Sequence, residues 1–156
     1  MLEFLKSGKR IINVDETWLN QSNFVRKAWF TSSATATIPL RAITPTLSMI
    51  AALDNEGRIY FSLNHSSTDQ DVFMVFMRYL VRQLDQDTPG WEEDSIILLD
   101  NATYHRGEEI RKYFRKMQLP VMYSAPYSFS TAPIETLFSH LKLGELNPNR
   151  ESTGKR

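Results

Sequence analysis

Ile96-Ile97-Leu98-Leu99-Asp100-Asn101-Ala102-Thr103-Tyr104-His105 joins a short aliphatic run to an acid and then to polar residues. A run this short and this apolar, bounded by charge, reads as a buried strand over 95–100 that ends on Asp100. Ile11-Ile12-Asn13-Val14 repeats the pattern near the N-terminus. It predicts a second buried strand over 10–15, ending on Asp15. A third acid, Glu135, follows Pro133 at a helix start, with 34 residues between it and Asp100. Three carboxylates are thus placed at the ends of regular elements.

The intervening sequence supplies the frame for these acids. Leu47 to Leu53 reads as a strand, Asp54-Asn55-Glu56-Gly57 as a turn, and Arg58 to Leu63 as the returning arm of a hairpin. Thr68 is the expected N-cap of a helix, with Asp69 and Asp71 in its first turn where the dipole favours anions. Val72, Phe73, Val75, Phe76, Tyr79, Leu80 and Leu84 form its apolar stripe, and Pro89-Gly90 closes it. A helix over about 107–117 and a strand at Pro120 to Ser124 come next. After a loop over 126–132, Pro133 occupies a first helical position, with Ile134, Leu137, Phe138 and Leu141 on one face. Residues 17–45 give no clear pattern, and Trp18 and Trp29 read as core residues. The order strand, hairpin, helix, strand, helix, strand, helix predicts an α/β domain with a mixed sheet covered by helices.

Composition limits the classes of function. At 156 residues the chain is long enough for one domain with a real core. No apolar run approaches the ~20 residues that span a bilayer, so no membrane partner is expected. The start of the chain lacks the apolar stretch of a secretory signal. With no cysteine, disulfides and thiolate zinc sites are excluded, which fits an intracellular protein. The formal net charge is zero, whereas autonomous DNA-binding domains are usually basic. Basic residues cluster locally at Lys6, Lys9 and Arg10, at Arg26-Lys27, at Arg111-Lys112-Arg115-Lys116 and at Lys155-Arg156. Weak DNA affinity from this chain alone is the expectation.

Taken singly, each acid has an ordinary explanation. An Asp at a strand end is commonly a turn or cap residue, and a Glu in a first helical turn complements the dipole. His105 alone reads as a hydrogen-bonded surface residue. Other sites fail on their own terms. Ser7-Gly8-Lys9-Arg10 lacks the glycine and hydroxyl of a phosphate-cradling loop, and no nucleophile elbow is present. Thr17 stands where a haloacid-dehalogenase-type phosphatase would carry its second Asp, and the three histidines are scattered.

The words around the acids change the weighing. The segments INVDETWLN, IILLDNATYH and APYSFSTAPIETLFSHLK resemble the three acid-bearing motifs of the mariner-type DDE transposase catalytic domain. The segment from Leu47 to Leu80 resembles the hairpin and helix between the first two motifs, so the likeness runs from Arg10 to Leu143. The third motif and the closing LNPN and TGKR look most similar to the telomere-bearing-element class of ciliate transposases. One departure is Ser130-Thr131-Ala132-Pro133, where many relatives read Leu-Asn-Pro before Ile-Glu.

This resemblance implies an RNase H-like fold over residues 1–143, with a mixed five-stranded sheet, helices on both faces and a polar tail over 144–156. It implies Asp15, Asp100 and Glu135 as catalytic residues and as ligands of two Mg2+ or Mn2+ ions, with Asn101 and His105 in support. Two such ions position a hydroxyl, neutralise the phosphorane and stabilise the leaving oxygen. The implied reaction is DNA cleavage at transposon ends, then strand transfer by the freed 3′-hydroxyl. The implied partners are transposon ends, target DNA and further copies of the chain in a homodimer or higher oligomer. A eukaryotic source would make the protein nuclear. With the first acid at residue 15, no room precedes it for the helix-turn-helix DNA-binding modules of mariner-type enzymes. An excised domain, a gene fragment or a domesticated remnant is therefore expected. The competing expectation is a catalytically silent domain that binds DNA or protein.

Overall fold

The computed structural model describes residues 8–19, 47–65, 67–124 and 133–142. Five strands, β1 (Arg10–Leu19), β2 (Leu47–Asp54), β3 (Ile59–Asn64), β4 (Ser95–Leu99) and β5 (Val121–Tyr123), form one sheet in the order β3-β2-β1-β4-β5. Helices α1 (Gln70–Asp87), a single turn α2 (Trp91–Asp94), α3 (Glu108–Lys116) and α4 (Pro133–Lys142), with a 3₁₀ turn at Thr103–Arg106, complete the described elements. β1, β2 and β3 pair antiparallel, while β4 lies parallel to β1 and to β5. The sheet is therefore mixed, as the element order predicts.

The pleat sorts side chains into two layers. On one face Ile12, Val14, Ile50, Ala52, Ile97 and Leu99 pack against Phe73, Phe76, Met77, Leu80, Val81 and Leu84 of α1 and Ile110 and Phe114 of α3. On the other face Met49 and Ala51 pack against Ile134 and Phe138 of α4. Helices thus cover both faces. β4 is buried along its whole length, which explains why its sequence is continuously aliphatic rather than alternating.

Several local expectations shift. β1 continues past Asp15 to Leu19, because β2 offers it partners as far as Leu47, and the polar residues Glu16 and Thr17 remain in the ladder. Asp15 lies within the strand, and Asp100 just beyond the end of β4. Asp69, not Thr68, is the N-cap of α1: its carboxylate accepts from the Asp71 and Val72 amides. A charged acceptor suits that positive helix end. Val75 and Tyr79 are exposed, and Met77 and Val81 take their places in the stripe. Trp18 is 46% exposed rather than in the core. Trp29, the loop over 126–132 and the polar tail over 144–156 lie outside the described residues, as does most of 17–45. Among the described residues no helix is long and apolar enough to cross a membrane.

The end of the sheet away from the acids is fastened by a buried ion pair. Arg10 meets Asp54 at 2.6 Å, and Asp54 Oδ1 also accepts the Glu56 and Arg58 amides that close the β2–β3 turn. Arg10 donates to the Tyr60 hydroxyl, and that hydroxyl donates to Asp87 at the end of α1. Gly57 completes the turn with a φ of 88°, a left-handed conformation that favours glycine. Removing one member of such a pair strands a buried charge. Asp54→Ala is expected to cost about 3–5 kcal/mol in chemical denaturation. Glu56→Ala, which breaks only an exposed pair with Arg58, should cost under about 0.5 kcal/mol.

Candidate active site

The parallel ladder of β1 and β4 pairs Asn13 with Leu98, and continuing that register by two residues sets Asp15 beside Asp100. Both lie on the sheet face that α4 covers. Ala51 opposes Asp15 across the β1–β2 ladder and belongs to the apolar cluster that holds Ile134 and Phe138. Ile134 and Phe138 are buried on that face and fix the first turn of α4, where Glu135 stands exposed between them and solvent. The three acids therefore converge from two neighbouring strands and one helix.

Their electrostatics show that they feel one another. Burial pushes the Asp15 carboxyl up to about 7, and the charges of Glu16, Asp100 and Glu135 add to that against one backbone hydrogen bond from Glu16. Asp100 moves the other way. The close contact with His105 holds it below the usual carboxylate range, overcoming burial with help from the Ala102 amide and the charges of His105 and Arg106. Among the described residues no group of three His, Asp or Glu side chains stands close enough to hold a metal ion. The acids share a face and an electrostatic field without forming a closed cage.

His105 is not a surface residue: it is fully buried, in the 3₁₀ turn Thr103–Arg106, because Phe73 and Tyr104 pack around its ring. Its Nε2 lies 2.8 Å from Glu16 Oε1 and its Nδ1 lies 2.6 Å from Asp100 Oδ1. The second contact is short but off the donor axis, so it is an ion pair rather than an aligned hydrogen bond. Burial alone would lower the imidazole, but the contacts with Asp100 and Glu16 outweigh it and raise it to about 9. Phe73 packs on the ring at 4.2 Å and Tyr104 meets it edge-on at 4.6 Å. Asn101 serves the loop: its amide donates to the Ser124 carbonyl and its Oδ1 accepts from Arg106, which lies over the Tyr123 ring. These contacts tie the exits of β4 and β5 together.

Glu16 is the partner that the sequence does not single out. It follows Asp15 directly, and only the strand pleat shows that it points to the opposite face, toward Tyr104 and His105.

The sheet order, with one acid inside β1, one just past β4 and one on a covering helix, defines an RNase H-like α/β domain. The chain belongs to the DDE superfamily endonuclease family, whose sequence model matches residues 10–153. No curated protein sequence is significantly similar to it. Solved structures share its fold. A Mos1 transposase paired-end complex with left transposon end matches with a TM-score of 0.68 and 22% identity, over 90% of this chain and 45% of that one. A mariner Mos1 paired end complex with Mg matches at 0.66 and 23%, over 85% and 42%. The catalytic domain of Mos1 mariner transposase matches at 0.63 and 19%, over 90% and 66%. The chain thus spans less than half of the first two proteins.

Two groups here make stability depend on pH with the same sign. Asp15 has a folded value raised to about 7, so it favours the folded state when protonated and loses that contribution as pH rises from about 4 through 7. His105 is raised to about 9, so its contribution is complete below about 6.5 and is lost as pH rises through 9. Without divalent ions, the melting temperature of the wild type should fall from pH 5 to pH 9. Asp15→Asn should flatten the fall below pH 7 and be the more stable protein above it, by a few degrees. His105→Gln should flatten the fall above pH 7. Melts in chelator across that range check both slopes.

Proposed function

We propose that this chain is a transposase catalytic domain that cleaves DNA strands at transposon ends and transfers the freed 3′-hydroxyl to target DNA. The observation that carries the reading is the convergence of Asp15, Asp100 and Glu135 on one sheet face, in a chain of the DDE endonuclease family. The presence of a transposon end in the Mos1 paired-end complex supports DNA as the partner. The pairing of ends in that related complex favours a homodimer or higher assembly as the active form.

The donor set fits hard divalent cations in kind: oxygen ligands only, with three acids on one face. Burial raises the Asp15 carboxyl and the charges of Glu16, Asp100 and Glu135 add to it, and a cation among these oxygens would relieve that charge. Asp15, Asp100 and Glu135 would hold two Mg2+ or Mn2+ ions, and a related Mos1 complex was solved with Mg. When bound, such ions lower the pKa of water and neutralise charge on the reacting phosphate. The protein's own part is positional. The Ala102 amide and His105 both engage Oδ1 of Asp100, so Oδ2 is the oxygen presented to a ligand. Asn101 and Arg106 hold the loop between β4 and the 3₁₀ turn that frames the acid. In cleavage, water attacks a phosphodiester at the transposon end and a 3′-hydroxyl leaves. In transfer, that hydroxyl attacks a target phosphodiester, one P–O bond forms and one breaks.

Asp15→Asn, Asp100→Asn and Glu135→Gln should each reduce Mn2+-dependent nicking of plasmid DNA by roughly 10³-fold or more while far-ultraviolet circular dichroism stays that of the wild type. Nicking by all three variants at the wild-type rate contradicts the assignment. A wild type that binds DNA but never nicks it would identify the silent module instead.

A further inference from the structure

Glu16 has no role in the reading above, yet it is built into the site from behind. Its side chain is 10% exposed, and both of its oxygens are engaged: Oε2 accepts from the Tyr104 hydroxyl at 3.1 Å and Oε1 faces His105 Nε2 at 2.8 Å. It lies on the α1 side of the sheet, so it is not a fourth ligand beside Asp15. Its reach ends on His105, and the other nitrogen of that ring ends on Asp100. The ring is held on its flat side by Phe73 and at its edge by Tyr104, and the His105 carbonyl accepts from the Tyr123 hydroxyl. His105 is fully buried with both partners in place, so losing one leaves a buried ring nitrogen unpaired.

We infer that Glu16 is a positioning residue for the divalent-cation site, acting through His105 to fix the orientation of the Asp100 carboxylate. This rests on Asp100 being a metal ligand, as proposed above. Partners behind metal ligands orient them and typically contribute 10–100-fold in affinity or activity. The chain Glu16, His105, Asp100 also links β1 to the exit of β4 on the face opposite α4. The acid of one strand is thereby aimed by the residue next to the acid of the other.

Calorimetric titration of the whole chain with MnCl2 tests this, repeated with a DNA duplex present. Glu16→Ala should weaken Mn2+ binding about 10–100-fold, and Glu16→Gln, which keeps an acceptor at the same place, should restore most of it. In an Asp100→Asn background Glu16→Ala should change nothing further, because its effect passes through that carboxylate. Wild-type affinity in Glu16→Ala, or an equal loss in both backgrounds, overturns the inference. If Glu16→Ala does not fold, Tyr104→Phe carries the comparison. It removes only the hydroxyl that steadies Glu16, a severalfold loss is expected, and unchanged affinity overturns. A wild type without Mn2+ affinity, with or without DNA, overturns the reading of the acids and this inference with it. Equal binding by wild type and Glu16→Ala overturns the inference alone.

Discussion

The parallel ladder between β1 and β4 is the constraint from which the site follows. It pairs Arg10 with Ser95 through Asn13 with Leu98, and that register carries Asp15 to the side of Asp100. A slip of one residue would send either acid to the opposite face. The register is held by burial on both sides, since Ile12, Val14, Ile97 and Leu99 face α1 while Met49 and Ala51 face α4. At the far end, the Arg10–Asp54 pair locks the start of β1 against the β2–β3 turn. The core thus spends its order on placing two carboxylates side by side.

Holding acids together opposes folding, and the structure shows how that cost is distributed. Asp15 carries the penalty, because it is desolvated and faces three other negative charges. Asp100 is relieved of it by a buried histidine and a backbone amide. The histidine in turn is sustained by Glu16, so one cation is shared between two carboxylates on different strands. Glu135, on the first turn of α4, stays exposed. Asp100 is therefore held by protein contacts while Glu135 is exposed, which suits the proposed completion by cations and phosphate.

Much of this was legible in the sequence, for identifiable reasons. The aliphatic run before Asp100 could only be a strand buried on both faces, and Asp54 to Gly57 carried its own turn chemistry. Pro133 marked the start of α4 because its ring suits a first helical position. The extent of β1 was not legible, since Glu16 and Thr17 interrupt the apolar run and their place in the ladder comes from β2. Choosing Thr68 over Asp69 as the cap failed because adjacent capping residues compete and only geometry separates them. Val75 and Tyr79 misled because the buried stripe is rotated toward Met77 and Val81, and apolar residues flank it on both sides. Glu16 escaped notice for a simpler reason. Its partners lie 88 and 89 residues away, and no local pattern records them.

Titration of the chain with Mn2+ in the presence of a DNA duplex, followed by electron paramagnetic resonance, addresses the acids most directly. Wild type, Asp15→Asn and Asp100→Asn would be compared under one condition. Saturable binding to the wild type, weakened by either substitution, is the predicted result. Binding that both substitutions leave unchanged, or none in the wild type, would contradict a shared cation site where Asp15 of β1 stands beside Asp100 at the exit of β4.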